Sequence, residues 1–289
     1  MSLFAFVQLE FGFLLGPADG RYLLRDAPGE EARRIVALQT LGAPQRRLLG
    51  RRRARRVEEA PQPEPVPTSR ATVIRARPFA SEDDAAAWLE GLRRDAGALA
   101  AERDDAVRAL NVVLRAHRVA ATDPAARDVA VGQALVARAG YGSGEQVADG
   151  RFTAALELPP ERTRRSREER LAPQERLAAI LGARMEQLVC AERVLRARAD
   201  IESGRPREAA LETRIALEAA LAELPGTPGE TGLGDLRGLR EAVGQAANAA
   251  LRGDPPEELR DAVRRAVEGL ERALRRVRAA GPPPPPQEG

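Results

Sequence analysis

The densest group of chemically capable side chains is an arginine run: Arg46, Arg47, Arg51, Arg52, Arg53, Arg55 and Arg56 fall within eleven positions. Guanidinium groups pair bidentately with phosphate and carboxylate, so such a run could grip a nucleic acid, an acidic lipid or an acidic protein. No aromatic residue is interleaved for base stacking, and Glu58, Glu59 and Glu64 follow directly. The segment Gly140-Tyr141-Gly142-Ser143-Gly144-Glu145 is the second group. Glycines let backbone N–H groups approach a phosphate, but the spacing matches neither the dinucleotide fingerprint nor the P-loop. It reads as a connector between helices. The third group is a pair of singletons, His117 and Cys190. His117 is in helical step with Leu110 and Val113 and suits a helix C-terminal end. Cys190 sits among Leu188, Val189 and Ala191 and suits a core. The pairs Asp83/Asp84, Asp104/Asp105 and Glu168/Glu169 are sequence neighbours, which point about 100° apart on a helix and share no site.

Composition removes whole classes of chemistry. The chain carries 46 basic residues, every one an arginine, against 43 acidic residues, for a net charge of +3. Without lysine there is no Walker A lysine, no Schiff-base lysine and no protein-kinase lysine. One His and one Cys leave no zinc site of the usual kind within a single chain and no internal disulfide. A GC-rich coding bias accounts for arginine in place of lysine and for asparagine at Asn111 and Asn248 alone. The pI near 9.8 is therefore weak evidence for nucleic-acid binding, which needs basic residues clustered on one face. The apolar start, Met1–Leu15, lacks a basic leader and carries Glu10, so it is not read as a secretory signal. No stretch reaches the roughly 18 uncharged apolar residues that span a bilayer, and a cytoplasmic location is the expectation.

Gly204, Ala209, Ala216 and Leu217 resemble the turn and second helix of a tetratricopeptide repeat. The resemblance covers about one repeat and lacks the family's rings, with Asp200 and Thr213 at those positions. It implies a tight antiparallel helical hairpin and, by family, a peptide groove.

The elements that must position these residues fall into three zones. In the first, Leu3–Leu15, Arg21–Arg25 and Arg34–Leu41 read as strands, with a turn at Gly16–Gly20. A stretch rich in arginine and proline, 44–69, reads as a flexible loop, and Ala71–Ala76 as a fourth strand beyond it. From Ser81 the apolar residues recur at steps of three and four. Six helices are expected: Ser81 to about Arg118, Asp123 to near Gly140, Pro173 to Gly204, Pro206 to Leu224, Asp235 to Arg252, and one from about Glu257 to Gly281. Residues 141–160 are expected to be irregular. The expected fold is thus mostly α with a small N-terminal antiparallel β-sheet (α+β) and about six amphipathic helices in a bundle. Its domains are 1–79, small and β, interrupted by the loop 44–69; 80–280, the helical bundle; and 281–289, a disordered Pro-rich tail. No catalytic, cofactor or metal site is assigned. The expected role is a non-enzymatic protein–protein interaction or scaffold protein. The alternative is a polyanion binder, for nucleic acid or an acidic partner, acting through the arginines of 46–56.

Overall fold

The computed structural model describes residues 2–42, 67–158, 167–182, 185, 187–227 and 232–280. The arginine run, most of the 44–69 loop and the 281–289 tail lie outside these residues. The chain divides into two compact units, 1–163 and 164–289. The boundary expected at 79/80 falls inside the first unit, so the first helices belong with the sheet. The α+β class holds, with eight helices and six strands among the described residues.

In the first unit, β1 (Leu3–Phe11) is flanked on both sides in an antiparallel sheet. The strands are β2 (Gly20–Leu24), β3 (Arg34–Leu41), β4 (Thr68–Arg75), β5 (Ala134–Ser143) and β6 (Ala154–Glu157). Their spatial order is β2-β3-β4-β1-β5-β6. Both faces of β1 are covered, which is why its sequence reads as a nearly continuous apolar run. Val7, Leu9 and Phe11 point to one face with Val36, Leu38 and Val73, and there they meet Leu92, Val107, Leu110 and Leu114. Phe6 points to the other, with Ala37, Ile74 and Val147.

The helices on the first face are α1 (Glu82–Arg94) and α2 (Ala96–Ala121). Ser81 caps α1 by accepting from the Asp84 N–H at 3.1 Å. The single long helix expected here is broken at Asp95. Its carboxylate accepts from the N–H groups of Gly97 (2.8 Å) and Ala98 (3.0 Å), so it ends one helix and caps the next. The helix expected over Asp123–Gly140 is not formed. Asp123 accepts from the Ala125 N–H instead, closing a turn. Asn111 then pins the following chain by donating to the Val129 carbonyl and accepting from its N–H. The alanine-rich stretch beyond becomes β5, paired with β1 from Leu3↔Ser143 to Phe11↔Ala134. Tertiary pairing overrides helix propensity there. The irregular region expected at 141–160 holds the end of β5, the short helix α3 (Gly144–Ala148) and β6.

The second unit holds α4 (Arg167–Leu181), α5 (Val189–Glu202), α6 (Pro206–Glu223), α7 (Leu233–Ala250) and α8 (Glu257–Ala280). The helix expected from Pro173 to Gly204 is two helices. Glu223 of α6 draws the break: its carboxylate accepts from the N–H groups of Val189 (3.1 Å) and Cys190 (3.0 Å) at the start of α5. Helices α5–α8 close around Val194, Leu217, Leu224, Leu236, Val243, Val267 and Leu270. Ala209, Ala210, Ala246 and Ala250 are buried together, where small side chains let the helices approach. The fork of Arg198 on Glu271, with both N···O distances 2.8 Å, ties α5 to α8. The α5–α6 hairpin implied by the repeat resemblance is present. Gly204 turns it with φ +66°, and both polar residues at the ring positions are satisfied. Asp200 pairs with Arg205, and the Thr213 hydroxyl donates to the Ala209 carbonyl at 2.6 Å.

Gly140 is the tightest point of the sheet. A Cβ there would stand 2.2 Å from the Ala154 carbonyl oxygen and 2.8 Å from the Ala155 Cα, both backbone atoms that cannot step aside. A Gly140→Ala variant should lose about 2 kcal/mol in urea unfolding of the first unit, with the β5–β6 pairing disrupted. An unchanged unfolding midpoint would contradict this packing.

Candidate functional site

Alternation along β3 puts Arg34 on the same face as Val36 and Leu38, and along β4 it puts Arg75 with Val73 and Ala71. The two strands pair so that Arg34 stands directly opposite Arg75. Like charges in this position repel. Two carboxylates three residues apart on α2 answer them. Glu102 takes Arg75 in a fork, with Nε–Oε1 at 3.0 Å and a closer Nη2–Oε2 contact. Asp105 takes Arg34 through Nη2, and its other oxygen meets Arg108 at 3.4 Å. The Arg75 guanidinium also lies 5.5 Å from the centroid of the Trp88 ring on α1.

These side chains line a cleft of about 900 Å³, which runs along the α1–α2 elbow from Trp88 past Asp95 to Asp105, with Arg33 at its mouth. A second pocket of about 320 Å³ shares Arg33, Arg34 and Arg75 with it and adds Arg77. Both volumes fall in the range of small-ligand sites. The lining balances Arg33, Arg34 and Arg75 against Asp95, Glu102 and Asp105 and holds planar, permanently charged donors in place beside an indole ring.

The electrostatics of the carboxylates are those of a clamp. Burial pushes the Asp105 carboxyl up, but the Arg34 hydrogen bond and charge, aided by Arg108, outweigh it and hold the group below its ordinary 3.8. On the opposite face of the sheet a separate polar group ties β4, β1 and β5 together. Arg70 donates to Glu10 at 3.0 Å, the Gln8 amide donates to Thr72 at 3.1 Å, and Arg138 lies over the Phe152 ring.

The residues singled out from the sequence lie elsewhere. Arg46, Arg47, Arg51, Arg52, Arg53, Arg55 and Arg56 are outside the described residues. Gly140 and Gly142 belong to β5, and only a five-residue helix follows at Gly144. That segment is neither a helix connector nor a phosphate loop. His117 is half-buried on α2, its ring against Gly16. Cys190 is buried at the start of α5, where burial, then the hydrogen bond and charge of Glu223, push its thiol up to about 12. Among the described residues no cluster of His, Cys, Asp and Glu could hold a metal, and no helix is long and apolar enough to cross a membrane. Sequence reasoning missed the cleft because Arg34 and Arg75 are separated by the long 42–67 connection, which hides their register. The available signal was Glu102 and Asp105, acidic residues three apart on a helix that follows two strands.

The chain matches no family model, and comparison with curated proteins and with solved structures finds no match.

Two outcomes test this geometry. Because the folded Asp105 carboxyl is held below its ordinary value, its stabilisation is full above about pH 4 and is lost as the pH falls through the lower folded value. The stability gap between the native chain and Asp105→Asn should therefore be constant near neutrality and narrow below about pH 4 in urea titrations. A gap that widens on acidification contradicts the clamp. Cys190, with its thiol near 12, should resist a thiol reagent at neutral pH until the second unit unfolds. Rapid stoichiometric labelling of the native chain contradicts the burial.

Proposed function

We propose that the protein is a non-enzymatic interaction protein that recognises an acidic protein partner through the arginine cleft of its sheet unit. The observation that supports this reading is the opposed pair Arg34/Arg75, held in place by Glu102 and Asp105. Sheets avoid like charges directly across from one another, and the chain spends two helix carboxylates to keep this pair. Arginine stays protonated at any physiological pH, so the cleft's cations bind and orient rather than exchange protons. The guanidinium N–H groups not given to Glu102 and Asp105 match the carboxylates of an acidic protein surface, and Trp88 offers the aromatic anchor that interaction sites favour.

The test is affinity capture with quantitative mass spectrometry, comparing the native chain with Arg34→Gln/Arg75→Gln, both verified as folded by circular dichroism. The expected result is an acidic partner retained by the native chain and lost with the double variant. Capture unaffected by these changes, but abolished when the arginines of 46–56 become serine, would transfer recognition to that segment. Turnover of a metabolite panel without any captured partner would overturn the non-enzymatic reading.

A further inference from the structure

The smaller pocket has a chemistry of its own. The chain entering β3 and the chain leaving β4 run together past the start of β1: the Ala76 N–H donates to the Arg33 carbonyl at 3.2 Å, and the Phe79 N–H to the Leu3 carbonyl at 2.8 Å. Beside them lies a half-open pocket of about 320 Å³, lined by Arg33, Arg34, Arg75 and Arg77 together with Pro78 and Phe79. Four arginines line it and no acidic residue does, although Arg34 and Arg75 pair with Asp105 and Glu102 from α2 and Arg33 lies near Asp26. The chain has 46 basic and 43 acidic residues, so composition by itself puts both signs on a wall of this size in nearly equal measure.

The charges are also divided by side. Glu102 and Asp105 meet Arg75 and Arg34 from α2. Among the described residues, Arg75 uses Nε and Nη2 for Glu102 and not Nη1, and Arg34 uses Nη2 for Asp105 and not Nη1 or Nε. These two side chains are thereby fixed with donors to spare, which lowers the ordering cost of binding. Arg33 meets Asp26 only at 3.7 Å, with both side chains more than 60% exposed, and Arg77 makes no ion pair among the described residues.

We propose that this pocket binds a phosphate monoester carried on an apolar stem. A carboxylate has two oxygens and is satisfied by one guanidinium fork, whereas a phosphate monoester offers three terminal oxygens and nearly two charges. Four guanidiniums arriving from two strand ends and their flanking chain match the second. Pro78 and Phe79 offer the apolar surface that covers the stem, and the neighbouring cleft receives whatever the stem is attached to. The inference rests on the reading of the cleft as the recognition surface. The phosphate could come from a free phosphomonoester or from a phosphorylated side chain of the partner, and the shared chemistry is the same.

The experiment is calorimetric titration of the full chain with inorganic phosphate, phenyl phosphate, benzoate and a peptide carrying one phosphotyrosine, at constant ionic strength. Phenyl phosphate should bind more tightly than inorganic phosphate and than benzoate. Arg33→Gln/Arg77→Gln, two exposed positions outside the α2 clamps, should weaken it by about tenfold to a hundredfold. The charge-matched control Arg265→Gln/Arg272→Gln, on α8, should leave it unchanged. A peptide tighter than phenyl phosphate assigns the group to a phosphorylated side chain, and one no tighter assigns it to a free phosphomonoester; both support the pocket. Equal losses in the two double variants would reduce the effect to net charge and overturn it, as would preference for benzoate or no saturable binding. If the pocket fails while Arg34→Gln/Arg75→Gln still abolishes partner capture, the wider reading stands alone. If phenyl phosphate binds while capture ignores the cleft, the pocket stands and the wider reading falls.

Discussion

Arg34 and Arg75 face one another across two neighbouring strands, and everything distinctive about the sheet unit depends on making that tolerable. Like charges held directly opposite one another on neighbouring strands destabilise the sheet. Glu102 and Asp105 turn the repulsion into two half-buried ion pairs. To do so, α2 must cross the sheet with those two residues over the ends of β3 and β4. That helix starts afresh at Asp95, whose carboxylate caps it. The same elbow opens the cleft between Trp88 and Asp105.

The rest of the unit supports this crossing. The apolar residues of α2 that follow Asp105, namely Val107, Leu110 and Leu114, lie against Val7, Leu9 and Phe11 of the central strand. Burying each side chain of this kind contributes about 1.5–3 kcal/mol relative to exposure. The core therefore sets the helix axis, and the ion pairs need only select its rotation. On the other face, Phe6 with Ile74 and Val147, together with the Arg70–Glu10 pair, keeps β4, β1 and β5 in register from behind.

Much of this fold was legible in the residues. The strand at Leu3–Phe11 announces itself by its dense apolar run, Gly20–Leu24 by the turn at Gly16–Gly20 before it, Arg34–Leu41 by its β-branched and apolar residues, and the last strand before Pro78 by its alternation. The helix starts at Ser81, Pro206 and Glu257 are equally plain, the first by its cap and the second by a proline at the head of the helix. What stayed hidden depended on partners distant in sequence. Ala134–Ser143 is alanine-rich and scores as helix until β1 supplies its hydrogen bonds. The break before α5 is marked by Glu223, 33 residues beyond Cys190. The cleft combines both difficulties, because it needs the register of β3 against β4 and the rotation of α2 at once. The conspicuous run at 46–56 drew the eye toward local density, whereas the arginines that line the pocket come as two small groups, Arg33 with Arg34 and Arg75 with Arg77, about forty residues apart in sequence.

The most direct measurement is a mutant cycle on Arg34 and Asp105, followed by the fluorescence of Trp88, the chain's single tryptophan, during urea unfolding. If α2 carboxylates hold a repelling arginine pair, Asp105→Ala leaves Arg34 and Arg75 facing each other with half their compensation gone. It should then be less stable than the double variant Arg34→Ala/Asp105→Ala, and the double loss should fall short of the sum of the two single losses by roughly 0.5–3 kcal/mol, the range of coupling between contacting residues. A double variant less stable than Asp105→Ala, with the two single losses simply adding, would contradict the account.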